Sequence, residues 1–186
     1  WRGAGVGVEV WDAAVRGLLV VASGDCGADD VAVAAGCERG VLVANTPGVL
    51  TDATADIAMS LILMSTRGLG AAERRVRTGT PWRWSLTAHL GVGLRGKTLG
   101  IVGPGAIGLA TARRAKAFDM RVLLSGRSSP DPAVVGELDA AVLDLDELLT
   151  ASDVVSLPCP LTPATRHLIG ARELRPMRPG APLVTT

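Results

Sequence analysis

A doubly wound α/β fold around a parallel sheet is the expectation for this chain of 186 residues, and three observations predict it. Short apolar runs closed by turn residues alternate with stretches of helical spacing along most of the sequence. A glycine-rich loop, Gly103-Pro104-Gly105-Ala106-Ile107-Gly108, stands between one such run and one such helix. The composition, 48% apolar and 20% charged, is that of a soluble globular protein with material for a buried core.

The elements follow in order. LLVVA at 18–22 and VLVA at 41–44 each end in turn residues and read as buried strands. VAVAAGCERG between them suits a short helix stopped near Gly40, which makes a strand–helix–strand unit of the kind that builds parallel sheets. From Asp52, with Asp52 or Thr51 as N-cap, Ala55, Ala58, Leu61 and Ile62 fall at helical spacing. That helix is expected to falter at Gly68 or Gly70 and to resume over 71–78. PWRWSLTAHLGVGLRG, from Pro81, has no clear period and reads as a linker or arm, so a domain boundary is placed near residue 90. Beyond it the pattern predicts strand 98–102, helix 106–117, strand 121–125, helix 145–151, strand 153–157, a helical stretch near 163–176 and strand 182–186.

Gly103, Gly105 and Gly108 match G-x-G-x-x-G in the strand–loop–helix context that a dinucleotide site requires. Gly103 permits the tight turn, Gly105 lets a pyrophosphate approach the backbone, and Gly108 lets helix and strand pack closely. Free N–H groups at Ala106 and Ile107 would then face the phosphates. The plainer alternatives are a glycine turn that only packs a helix on a sheet, and a methyltransferase nucleotide loop. An NAD site usually has an acid at the end of the second strand, for the ribose hydroxyls. Here that end reads Ser125-Gly126-Arg127-Ser128. Arg127 can offer a 2′-phosphate a forked contact, and Ser125, Ser128 or Ser129 can add hydroxyls, which predicts NADP over NAD; the alternative is a solvated surface arginine. On that reading Gly126→Asp with Arg127→Ala would shift preference toward NADH.

The formal charge of +1, from 19 Lys plus Arg against 18 Asp plus Glu, leaves no excess field for nucleic acid or an anionic membrane. The apolar run Ile57–Met64 is far below the roughly 20 residues that span a bilayer. Cys26, Cys37 and Cys159 form no Cys-x-x-Cys pair, which suggests neither a disulfide frame nor a zinc site. Reduced thiols and the lack of a secretory signal fit a cytoplasmic protein. The Asp144, Asp146 and Glu147 cluster reads as helix N-terminal charge rather than a metal site.

From about Leu18 to Thr186 the chain resembles the D-isomer-specific 2-hydroxyacid dehydrogenases. The resemblance rests on ANTPGVLTDATADIAMSLIL, LRGKTLGIVGPGAIGLATARRAKAFDMRV, LDELLTASDVVSLPCPLTPATRHLI and MRPGAPLVTT, in the order and near the spacing that family shows. The SGR ending is similar to the NADPH-dependent glyoxylate and hydroxypyruvate reductase branch. The resemblance implies an incomplete Rossmann-type nucleotide domain at 91–186. It also implies part of a flavodoxin-like substrate domain, with interdomain helix and arm, at 1–90. It further implies a small 2-keto or 2-hydroxy acid substrate and a homodimer.

Carried onto this sequence, the substrate-carboxylate loop falls at Ser23 to Gly27, with the N–H groups of Cys26 and Gly27 facing the carboxylate, and the backbone near Pro160 lines the cofactor. The chain departs from the family at several positions. Asp25 stands for a usual glycine, Ala106 for a usual arginine and Pro158 for a frequent histidine, and Trp82 and Trp84 lie one residue closer than the family's W-x-x-W. Neither His89 nor His167 sits where the family keeps its acid–base histidine. The family's catalytic arginine, glutamate and histidine would all fall beyond Thr186. A partial member with no catalytic residue of its own is therefore expected: an internal fragment or a truncated product. The alternatives are a non-catalytic nucleotide-sensing or scaffold protein and an inactive fragment.

Overall fold

A computed structural model describes residues 11–12, 17–22, 31–79, 81, 84–87 and 90–186. The chain divides into two compact units: one reaches to Thr51 and adds Pro160–Arg166, the other comprises Asp52–Cys159 and His167–Thr186.

In the first unit, β1 (Val20–Ala22), α1 (Val33–Glu38) and β2 (Leu42–Ala44) form the expected strand–helix–strand unit. The strands are parallel, with Val21 opposite Val43. Gly36 of α1 is buried where a Cβ would lie 3.1 Å from the Trp11 ring, so the helix is seated on an indole that is itself buried.

The second unit opens within α2 (Thr51–Thr66), at Asp52, and continues into α3 (Leu69–Arg77). Thr51 and Asp52 both lie inside the first turn of α2 instead of capping it, and Asp52 places negative charge at the helix's positive end. The break falls at Gly68, whose φ of +63° is left-handed, a conformation glycine adopts without steric cost. The compact units part at residue 51. The reason is packing: Ala55, Ala58, Met59 and Ile62 of α2 are buried, and Met59 and Ile62 join the core of the sheet that follows.

That sheet contains β3 (Thr98–Val102), β4 (Arg121–Ser125), β5 (Ala141–Val142), β6 (Val154–Leu157) and β7 (Leu183–Thr185). All neighbours are parallel, in the order β5-β4-β3-β6-β7. The helices between them are α4 (Ala106–Ala117), α5 (Pro132–Leu138), α6 (Leu145–Ala151) and α7 (Ala171–Leu174). Alternate strand residues point to opposite faces. Leu99, Ile101, Val122, Leu124, Val154 and Val184 meet Ala112 and Ala115 of α4 and Leu138 of α5 on one face. Val102 and Val155 meet Leu148 and Leu149 of α6 on the other. Helices on both faces make the unit doubly wound, as expected, and explain why every residue of β3 is buried.

Two elements escape the sequence reading and one shrinks. α5 is capped by Asp131, whose carboxylate accepts from the Ala133 N–H at 2.8 Å, and Pro132 occupies its first turn. β5 is too short for a periodic signal. Of the helical stretch expected near 163–176, only α7 is helical. Thr165 Oγ1 donates to the Pro160 carbonyl at 2.6 Å and accepts from the Thr162 N–H at 2.7 Å. This closes a local turn that competes with helix, and His167 follows at φ +57°.

Candidate functional site

Strand order reverses between the connection leaving β3 and the one leaving β6, and that switch point is where open parallel sheets offer a crevice at their carboxyl ends. The glycine loop lies there. Gly103 has φ +99°. A Cβ on it would stand 2.7 Å from the Cβ and 2.8 Å from the Cα of Cys159, so the connection after β6 comes within reach of the loop only because position 103 has no side chain. Its N–H donates to the Ser125 carbonyl at 2.8 Å, which ties the loop to the end of β4.

Gly105 is extended (φ −80°, ψ −167°) and is the N-cap of α4, with no side chain to cap it. A Cβ there would meet nothing within 4 Å, so the approach to this backbone is open. The first intrahelical bond runs from the Leu109 N–H to the Gly105 carbonyl at 2.9 Å. The N–H groups of Ala106, Ile107 and Gly108 therefore belong to the first turn, which has no acceptor within its own helix. A Cβ on Gly108 would lie 2.6 Å from the Gly103 carbonyl oxygen, 3.1 Å from Ile101 Cγ2 and 3.2 Å from Pro158 Cγ. Helix, strand and the β6 connection converge on this glycine. An uncapped helix N-terminus reached by open backbone is the arrangement that receives a pyrophosphate, so these residues fit a dinucleotide.

α4 is braced along its length. Arg113 donates to both Glu137 oxygens, at 2.7 and 2.9 Å, and this hydrogen bond holds the Glu137 carboxyl below the usual carboxylate range. Arg114 reaches Asp56 at 2.6 Å and Asp52 at 3.1 Å, and those two contacts raise its pKa further. The braces tie α4 to α5 and α2 and fix where its N-terminus points.

Arg127 and Ser128 follow β4 and are exposed. Arg127 makes no hydrogen bond or ion pair among the described residues. Gly126 lies against the glycine loop, since a Cβ on it would be 2.7 Å from Pro104 Cδ. The structure thus brings Gly103, Gly105, Ala106, Ile107 and Gly108 together with the chain segment that carries Arg127 and Ser128. Pro160 belongs to the other unit, where its carbonyl closes the Thr162–Thr165 turn. Cys26 and Gly27 lie outside the described residues, as do Trp82 and His89. Pro104, Pro158 and Cys159 shape the loop, a role that the sequence alone does not show. Their contacts arise across strands and leave no local signal. Asp144 caps α6, accepting from the Glu147 N–H at 2.8 Å, and among the described residues no cluster of three or more His, Cys, Asp or Glu is placed to hold a metal. No described helix is long and apolar enough to cross a membrane.

Residues 59–186 match the family described as D-isomer specific 2-hydroxyacid dehydrogenase, NAD binding domain. The chain belongs to the D-isomer specific 2-hydroxyacid dehydrogenases. Within that family it is 44% identical over 174 residues to a glyoxylate reductase of Thermococcus litoralis, covering 91% of this chain and 52% of the relative. Among solved structures it is similar to a protein from Thermus thermophilus, with a TM-score of 0.88 and 44% identity over 96% of this chain and 55% of that one. It is also similar to a glyoxylate reductase from Paecilomyes thermophila, with a TM-score of 0.86 and 34% identity over 97% and 54%. The chain spans about half the length of the curated relatives it matches. A nicotinamide cofactor is the ligand of the matched dehydrogenase domain.

Proposed function

We propose that this chain is the cofactor-binding part of an enzyme that reduces a small 2-keto acid, of the glyoxylate or hydroxypyruvate kind, to the D-2-hydroxy acid, with NADPH preferred over NADH. The observation that carries the preference is the exposed Arg127, without a partner among the described residues, beside a Gly126 that stands where an NAD site has its acid. The names of the similar proteins support the substrate class.

When bound, the nicotinamide would supply the hydride that reduces the keto carbon. The chain's own residues bind and orient. N–H groups at Ala106, Ile107 and Gly108 take the pyrophosphate, helped by the helix dipole. Arg127 and Ser128 take the 2′-phosphate through charge-assisted hydrogen bonds, and an acid there would repel it. The backbone near Pro160 lines the cofactor, and the N–H groups of Cys26 and Gly27 hold the substrate carboxylate. Residues 1–90 serve as part of the substrate domain with its interdomain helix and arm, and 91–186 as the dinucleotide domain. The exposed Trp84, Leu86 and Leu90 of the arm are the surface of a homodimer.

Calorimetric titration of the chain and of Arg127→Ala with NADPH and NADH tests the reading. Hydrogen bonds to charged groups contribute about 1.5–3 kcal/mol, so NADPH should bind roughly 10- to 100-fold more weakly to the variant while NADH barely changes. An unchanged ratio of the two affinities would refute the NADPH preference.

A further inference from the structure

The glycine at the end of β4 is required by its neighbour and not by its own backbone. Gly126 is absent from the glycines with positive φ, so no left-handed backbone demands glycine there. What excludes a side chain is Pro104, whose Cδ would stand 2.7 Å from a Cβ at position 126 and whose Cγ would stand 3.3 Å away. A flexible side chain could swing aside, but this ring cannot. Its Cδ is bonded to the backbone nitrogen of residue 104, so moving it means moving the loop. The loop is pinned on both sides of the ring. The Gly103 N–H is held by the Ser125 carbonyl at 2.8 Å, the Gly105 N–H by the Gly103 carbonyl at 2.8 Å, and Gly103 itself lies against the Cys159 backbone.

We infer that Pro104 is a specificity-determining residue: its ring, seated on Gly126, bars an acidic side chain from the end of β4 where the cofactor ribose is met. The inference rests on the NADPH reading for its meaning, but its steric core does not. It changes the substitution that sequence reasoning recommends. Gly126→Asp with Arg127→Ala displaces the glycine loop instead of installing an NAD site, and a working switch also requires the ring at 104 to be removed.

The first test needs no cofactor. Thermal unfolding of the wild-type chain, Gly126→Ala, Pro104→Ala and the double variant forms a mutant cycle. A Gly→Ala change at a permissive backbone normally stabilises. Gly126→Ala should instead lower Tm in the wild-type background and cease to do so in the Pro104→Ala background; a Gly126→Ala chain as stable as the wild type overturns the inference. The second test titrates NADPH and NADH into Gly126→Asp and Pro104→Ala/Gly126→Asp. The single variant should lose at least tenfold in affinity for both cofactors, and the double should recover NADH at least tenfold and favour it over NADPH. Gly126→Asp binding NADH as tightly as the wild type overturns it. Failure of the NADPH reading would appear separately, as an unchanged affinity ratio in Arg127→Ala, with the thermal cycle untouched.

Discussion

Gly108→Ala isolates the close packing on which the nucleotide loop depends. Gly108 has ordinary helical backbone, so alanine is conformationally welcome, and helix propensity alone would favour it by about 0.8–1 kcal/mol. The added Cβ, however, would sit 2.6 Å from the Gly103 carbonyl oxygen. A carbon–oxygen contact is ordinarily no closer than about 3.3 Å, so α4 and the loop must separate by roughly 0.7 Å. Overpacking of this size costs about 1–3 kcal/mol. After subtracting the propensity gain, net destabilisation of about 0–2 kcal/mol is expected, a fall in Tm of up to roughly 8 °C at 2–4 °C per kcal/mol. The same displacement moves the N–H groups of Ala106 and Ile107 away from the backbone of Gly103 and Gly105. An anion at a helix N-terminus gains up to about 2 kcal/mol, so loss of most of that contact weakens cofactor binding by roughly tenfold or more. Differential scanning calorimetry and cofactor titration on one preparation read both effects. A variant that melts at or above the wild-type temperature, with unchanged affinity, would show that propensity wins and that the close approach at Gly108 is not what holds the loop.

Gly136→Ala is the contrasting case within the same domain. It lies inside α5, where an added Cβ meets nothing within 4 Å, so the propensity gain of about 0.8–1 kcal/mol should appear undiminished as a rise in Tm of roughly 2–4 °C. Asp153 supplies the pH dependence. Burial pushes its carboxyl up, but the Thr98 N–H at 2.9 Å and the Arg178 guanidinium at 2.7 Å outweigh this and hold it below the usual carboxylate range. Its contribution is therefore present above the unfolded value of about 3.9 and lost as pH falls through the lower folded value. Asp153→Asn should lower stability at pH 7 by about 1–2 kcal/mol, through the lost charged partner of Arg178, and flatten the acid limb of a Tm-against-pH curve. An acid limb identical to the wild type would remove Asp153 from the account. For the arm, light scattering after gel filtration should give a dimer for the chain and a lower mass for Trp84→Asp with Leu86→Asp; a wild-type monomer at micromolar concentration would refute the arm's role.

The alternation of strand and helix, the parallel sheet and the loop-to-helix junction at Gly105–Ala106 were all legible in the sequence. Each is a local pattern: apolar runs closed by turns, helical spacing, and glycines at fixed offsets. α5 was legible in principle, since Asp131-Pro132 is an N-cap followed by a first-turn proline, but a short helix has little periodicity to announce it. The helix expected near 163–176 fails for a nonlocal and a local reason together. Thr165 bonds back to Pro160, and the segment passes from one compact unit to the other at residue 167. The parting of the compact units at residue 51 follows the buried face of α2, a packing contact that no local window shows.

By itself the sequence determined the fold class, the nucleotide loop and the family, because these depend on residue types at fixed spacings along one chain. Only the tertiary structure decided which distant residues meet Gly103, Gly108 and Gly126. Cys159, Pro158 and Pro104 are brought against them by the parallel register of β3, β4 and β6, and a contact between residues 56, 50 and 22 positions apart leaves no mark in any local window.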